Sequence, residues 1–382
     1  MGTDSSVHGE NLLTVGGVAA GDRVIRPHCS RVVIAWHGLP AYAARALRTT
    51  IATFDNSLEL VGTADVQSPG YIESLIGRKV TWIDAGRPVT WNDLQLDPPA
   101  IFFHTGWAYQ AFNSLAGETK RNSGRTVCMM DNSRKFTFRQ TLGKWYFRAA
   151  IERNIDHFLV PGEAAQDLMK YFGVPESRIH QGLYGADPEV FPPGPPLLER
   201  ANDFVFVGQF IARKGIRCLL AAAGILRKAG EQFNLVAIGQ GPLRKDLIDA
   251  GVHVEPFSTP EAVAAWLRNS RFLVLPSTED HWPLVVHEAA RSGCGLVLSQ
   301  AVGNRLEFAD QHNSWTFSPG DAKSLAGIMV RALDLDERGQ AGCRAQSLAL
   351  AEPFGPHRWN QSFREIVALC GVTVADKVGQ VR

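Results

Sequence analysis

Residues 272–299 read FLVLPSTEDHWPLVVHEAARSGCGLVLS. An apolar run, FLVLPS, opens the stretch and another, GLVLS, closes it. Pro283 falls where a first helical turn tolerates it, since its missing N–H would be unpaired there anyway. LVVHEAARSG then carries a helical pattern with Gly293 as its stop. Strand, helix and strand in this order make a parallel crossover, whose strands read as continuous apolar runs because both faces are covered. The first strand's carboxyl-end loop and the helix behind it carry two acids. Asp280 stands just before the helix and Glu288 near its second turn, so that both can face one cleft. The free amides around Trp282, Leu284 and Val285 would point at a bound anion. A helix cap and a solvated glutamate are the plainer reading of the same acids.

The pattern extends in both directions. Strand candidates are 31–36, 58–62, 79–83, 100–104, 125–130 and 157–161, then 204–208, 233–239, 252–257, 272–277 and 295–299. Amphipathic stretches lie between them, including 41–54, 107–117, 162–173 and 216–230. Alternation of this kind predicts parallel sheets covered by helices on both sides. VFPPGPPLLERAND (190–203) breaks both periodicities and marks a linker that would serve as a hinge. The expected fold class is α/β, with two doubly wound Rossmann-like domains facing a central cleft. Residues 1–192 and 193–355 form the two domains, and 356–382 is a final helix packing back on the first.

Bulk composition agrees with this. The chain has 382 residues, enough for two domains. Hydrophobic residues make up 45% and charged residues 20%, an ordinary globular balance. A net charge of +1 gives no field that would attract nucleic acid. Cys29, Cys128, Cys218, Cys294, Cys343 and Cys370 are scattered without zinc spacing, which points to reduced thiols and no metal site. MGTDSSVHGENLLTVGG (1–17) lacks the basic and apolar regions of a secretory leader, and no apolar run reaches membrane-span length. A cytoplasmic location is expected.

Two further loops carry chemistry. In FVFVGQFIARKG (204–215), a strand ends at Gly208 and Gln209, Arg213 and Lys214 lead into a helix, an arrangement suited to a diphosphate. In NLVAIGQGPLRKDL (234–247), a strand runs into Gly239 and Gly241. Arg244 stands where a dinucleotide fingerprint needs its third glycine, which argues against nicotinamide binding.

Taken in order, these motifs (strand-Gly-x5-Lys-Gly, strand-GxGP, PS-x2-acid-x7-Glu-Ala) resemble the donor-binding domain of GT-B glycosyltransferases, in particular the retaining family-4 group. The resemblance is close over about 200–330 and looser over 155–191. It implies that Lys214 contacts a donor diphosphate, Glu288 the ribose, and Asp280 the transferred sugar. Gly208, Gln209, Arg213, Gly239, Gly241 and the amides of Trp282, Leu284 and Val285 would complete the donor site. Two departures stand out: Asp280 replaces the usual glutamate, and Gln209 the usual arginine. The donor would be a nucleotide-sugar, used as substrate without a cofactor.

The first half would supply the acceptor site. Its strand ends bring His37, Gly38, His104, Gly106, Trp107, Asp131 and Asn132 to the cleft, with Asp131 or His104 orienting the acceptor hydroxyl and Trp107 stacking on a sugar. The acceptor would be a glycan, a lipid-linked sugar or a small molecule, with bacterial surface polysaccharide synthesis suggested by family analogy. KFTFRQTLGKWYFRAAIERN (135–154) mixes cations with aromatics, so a peripheral contact with the inner face of a membrane is a second expectation. The rival readings are a GT-B sugar-nucleotide epimerase or sugar-phosphate synthase, and a non-catalytic sugar-nucleotide-binding subunit. Oligomeric state is left open.

Overall fold

The computed structural model of the chain describes residues 31–54, 57–63, 68–135, 137–257 and 259–372. The leader reading on residues 1–17, Cys29 and the last ten positions lie outside them. The remaining five cysteines are free thiols.

Among the described residues, thirteen strands build two sheets. The first contains β1 (Val32–Trp36), β2 (Leu58–Thr63), β3 (Thr81–Ile83), β4 (Ile101–Thr105), β5 (Arg125–Met129), β6 (His157–Val160) and β7 (Ile179–Gln181). The second contains β8 (Asn202–Val207), β9 (Leu235–Ile238), β10 (His253–Glu255), β11 (Ser270–Leu275), β12 (Gly295–Ser299) and β13 (Ser314–Phe317). The orders are β3-β2-β1-β4-β5-β6-β7 and β10-β9-β8-β11-β12-β13. Every pairing is parallel, as in β1 with β2 and β8 with β11. β1, β4, β8, β11 and β12 are buried along most of their length, which is why they read as unbroken apolar runs.

Local differences from the sequence reading have physical causes. The helix expected over 107–117 starts only at Gln110 and runs to Arg121, because Gly106, with φ 62°, turns the chain first. The stretch 135–154 is a helix over Phe138–Tyr146 that widens into a wide turn over Phe147–Ile151, keeping Phe147 and Ile151 buried. The linker is not a loose hinge. Arg200, 5% exposed, donates to the carbonyls of Pro195, Ser270 and Ser292, and Arg344 donates to the carbonyl of Gly194. These bonds fasten residues 194–200 to the second sheet's layer.

The chain returns to the first half at its end. The helix Pro356–Leu369 packs on the helix Ala41–Phe54, with Trp359 Nε1 donating to Thr50 Oγ1 at 2.7 Å. Phe363 stacks on Phe103 and meets Phe54 edge-on.

Candidate functional site

In open parallel sheets, ligands collect beyond the strands' carboxyl ends where the strand order reverses. The first sheet reverses between β1 and β4, the second between β8 and β11. Both reversal points are built up.

At the first, the loop after β1 turns sharply through Gly38 (φ 65°) and Leu39 (φ 26°). The N–H of His37 donates to Thr105 Oγ1 at 2.8 Å, and that of Gly38 to Thr63 Oγ1 at 2.8 Å. A cavity of about 680 Å³ opens there, and its walls include His37, Gly106, Trp107, Asp131 and Asn132. Tyr184 donates its hydroxyl to the Asp131 carboxylate at 2.5 Å. Burial, reinforced by the Asp131 charge, pushes the hydroxyls of Tyr42 and Tyr184 well up, so both stay protonated donors. Trp107 packs against Phe147 and Phe172 while still lining the cavity.

His104 is a correction. It is 1% exposed, stacks on Phe102, and its Nδ1 pairs with the Gly106 carbonyl at 2.9 Å. Side chains alternate along a strand, so His104 shares the interior face of Phe102 while Thr105 turns to the His37 loop. Burial lowers its imidazole to about 4, and it braces the Gly106 turn as a neutral group behind the cavity wall. Gly38 shapes its loop without lining the cavity.

At the second reversal point, the loops after β8 and β11 bind each other. Thr278 N–H donates to the Arg213 carbonyl at 2.8 Å, and Arg213 Nη1 to the Glu279 carbonyl at 2.7 Å. Lys214 Nζ donates to Asp280 Oδ2 at 2.5 Å, and Ser277 Oγ to the same oxygen at 3.1 Å. Asp280 is only 7% exposed. Its backbone is stitched to the next loop, donating to the Ala301 carbonyl and accepting from Gly303. The Gly208 and Gly239 turns abut: a Cβ on Gly239, whose φ is 150°, would fall 1.9 Å from the Gly208 carbonyl oxygen. A Cβ on Gly241 would fall 2.6 Å from the Phe210 carbonyl oxygen, while Gln209 is exposed.

The two acids of the opening stretch do not share one wall. Glu288 lines a cavity of about 620 Å³ between the halves, together with Leu284. Burial raises its carboxyl to about 7. Asp280 and Lys214 form their ion pair apart from that wall. The helix Leu284–Arg291 connects the two places, its first amides open at the end nearer Asp280. Trp282 is buried against Phe308, and Val285 is buried beside it in the helix's first turn.

The sequence reading passed over several residues. Tyr42 lines both cavities. Arg45, Tyr71 and Phe257 line the one holding Glu288. His281 Nδ1 meets Ser133 Oγ at 2.7 Å, and Lys135 pairs with Glu279 at 2.6 Å, both across the halves. Arg45 reaches Glu261 across the same gap at 2.5 Å. Glu279 and His281 fill unspecified positions of the PS-x2-acid-x7-Glu motif and Lys135 opens the cationic, aromatic stretch 135–154, while the others lie in no motif. Only the place of Tyr42 and Arg45, just after a strand-end glycine turn, could have drawn attention to them.

Comparison with known proteins gives the family context. Residues 201–334 match the family described as glycosyl transferases group 1. A D-inositol 3-phosphate glycosyltransferase from Catenulispora acidiphila is 29% identical over 54% of this chain and 54% of its own. The alpha-D-kanosaminyltransferase of Streptomyces kanamyceticus is 23% identical over 50% and 55%, and the putative glycosyltransferase EpsF of Bacillus subtilis 26% over 54% and 57%. The chain thus spans about half the length of the curated relatives it matches. Among solved structures, HepE of Anabaena in complex with UDP and glucose superposes with a TM-score of 0.69 at 16% identity, over 88% of this chain and 99% of that one. A glycosyltransferase from Rickettsia africae gives 0.70 at 10%, over 89% and 98%. The fold is that of the GT-B glycosyltransferases.

Proposed function

We propose that this chain, whose residues 201–334 form a glycosyl transferases group 1 domain on a GT-B fold, is a retaining glycosyltransferase of the family-4 type that moves a sugar from a nucleotide-sugar to an acceptor hydroxyl. One observation carries the reading. The second sheet's reversal point holds a cation, Lys214, beside the start of the Leu284–Arg291 helix, and that helix leads to Glu288 in the cavity between the halves. Cation and open amides suit a diphosphate, and the cavity carboxylate suits ribose hydroxyls.

In the proposed reaction, the bond from the anomeric carbon to the diphosphate breaks and its electron pair leaves on the phosphate oxygen. The acceptor hydroxyl oxygen bonds to the same carbon on the same face, and its proton passes to the departing phosphate. Lys214, Arg213 and the helix amides meet the leaving charge with donors already in place, and no metal or other cofactor is invoked. Asp131 orients the acceptor hydroxyl in the cavity of the first half. Tyr184, already hydrogen-bonded to Asp131, fixes that carboxylate.

Solved relatives of this fold carry UDP and UDP-glucose, which supports a nucleotide-sugar donor. Glycan and lipid-linked acceptors both fit the cavity's mixture of aromatic and polar walls. Among the described residues no helix is long and apolar enough to cross a membrane, so we propose that any membrane contact is peripheral. The test is a calorimetric screen of nucleoside diphosphates, followed by transfer with the matching sugar donors and assignment of the product's anomeric configuration. Absence of binding to every nucleoside diphosphate overturns the reading, and an inverted product overturns the family-4 assignment.

A further inference from the structure

The three most exposed large apolar side chains among the described residues are Phe138, Trp145 and Tyr146, at 78%, 67% and 65%. All three belong to one helix, Phe138–Tyr146, and Leu142 on the same helix is also exposed. Phe138, Leu142 and Trp145 stand at i, i+4 and i+7, one stripe of a helix. This stripe is not a frayed end. The turn that follows buries Phe147 and Ile151 in a cluster with Phe158 and Phe172, so the core holds the helix in place.

The charge of its own segment has one sign. Residues 134–151 contain Arg134, Lys135, Arg139, Lys144 and Arg148 and no acid. Glu279 offsets Lys135 from across the halves. Arg134 and Lys144 lie over the Tyr171 ring at 4.1 and 4.8 Å, a contact that leaves their charge intact. An apolar stripe flanked by cations is the composition that lies in the headgroup layer of an anionic bilayer. A second copy of this chain or a protein partner would bury the aromatics equally well. It would not by itself account for a run of cations without acids.

The stripe also adjoins the first cavity. Thr137, Gln140, Gly143 and Tyr146 of the same segment line that cavity. We infer that the Phe138–Tyr146 helix is a bilayer-docking face for anionic lipid and that the first cavity takes its acceptor from the lipid phase. The second clause rests on the glycosyltransferase reading, whereas the first does not. Docking by this helix sets the cavity at the lipid–water boundary, where a lipid-borne sugar presents its hydroxyls while its chain stays in the bilayer.

The test is flotation of the full chain with phosphatidylcholine vesicles, with and without phosphatidylglycerol, beside a triple variant Phe138→Ser/Leu142→Ser/Trp145→Ser. All three side chains are solvent-exposed, so the variant is expected to fold, which calorimetric binding of the best nucleoside diphosphate verifies. The expected result is flotation only with phosphatidylglycerol, weakened by salt, and about tenfold less bound protein for the variant with nucleotide binding unchanged. Absence of flotation by the unaltered chain overturns the proposal, and so does equal flotation by the variant. Salt-insensitive binding to phosphatidylcholine alone overturns the anionic specificity. Self-association that the triple variant abolishes, without flotation, assigns the stripe to an interface between copies and overturns it as well. Nucleotide binding that persists while flotation fails leaves the donor reading standing.

Discussion

At the scale of single residues, the Lys214–Asp280 pair changes what the opening stretch means. Asp280 is nearly buried and spends its carboxylate on Lys214 and Ser277 rather than on an open cavity. Lys214→Ala removes the cation, so nucleoside diphosphate affinity should fall by about 1.5–3 kcal/mol while nucleoside affinity is kept. Asp280→Asn removes an anion beside the proposed phosphate position. Diphosphate affinity should hold or rise, and kcat should fall if the carboxylate acts on the transferred sugar or aims Lys214 in the transition state. Calorimetry with both ligands beside a transfer assay gives the comparison, and equal losses of diphosphate affinity in the two variants would show Asp280 serving ground-state binding. Glu288 makes a second case. Its carboxyl is raised from 4.5 to about 7 by burial. In the ligand-free protein, its contribution to stability is present below about 4.5 and is lost as pH rises to 7. Ribose hydroxyls prefer the ionised form, so binding should strengthen as pH rises through 7. Glu288→Gln should flatten both trends, and parallel pH titrations of the two proteins read the difference directly.

At the scale of elements, the helix Leu284–Arg291 does two jobs with alternate faces. One face carries Glu288 to the cavity. The other carries His287, fully buried, whose Nδ1 accepts from the Ala186 N–H at 2.8 Å while Nε2 donates to the Ala351 carbonyl at 3.0 Å. Burial lowers this imidazole to about 3, so it stays neutral and keeps that tautomer throughout the physiological range. His287→Phe keeps an aromatic ring against Phe308 but orphans both backbone groups. About 2–4 kcal/mol of unfolding stability should disappear in urea denaturation, and a loss under about 0.5 would show that water replaces both bonds. Nothing in the sequence flags His287, because its partners are more than sixty positions away. Elements with a strong local pattern were legible: unbroken apolar runs at β1, β4, β8, β11 and β12 fixed the alternation and hence the fold class. The same holds for the strand-end loops, since Lys214 and Asp280 lie in loops that follow strands and Glu288 lies in the helix behind one of them. What stayed hidden depends on side-chain parity and on long-range packing. His104 turned inward by strand alternation, and the contacts His281–Ser133 and Arg45–Glu261 form only once the two sheets face each other.

At the scale of the whole molecule, closure of the two halves around a ligand would need a pivot. The sequence pointed to the proline-rich linker, yet Arg200 and Arg344 tie it to the second half. The chain crosses between halves at two other places, near Gly185 on the way out and Gly355 on the way back. These crossings touch: a Cβ on Gly185 would lie 2.8 Å from the Gly355 nitrogen, and Gly355 has φ 131°. Paired crossings this close form a natural axis, because small dihedral changes at both rotate the halves with little shear elsewhere. The contacts that such a rotation would make and break include three at the rim, Ser133–His281, Lys135–Glu279 and Arg45–Glu261. Each is partly exposed and worth at most about 1 kcal/mol, so a ligand between the halves can decide the balance. Dyes placed on the helices Gln110–Arg121 and Arg244–Asp249 should therefore report shortening when nucleoside diphosphate is added. Gly185→Val, which wedges the crossings apart, should shift the ligand-free distance and weaken that response. Lengthening the linker between Pro193 and Gly194 should leave the response intact. If instead the lengthened linker abolishes the response and Gly185→Val preserves it, the pivot lies in the proline-rich segment after all.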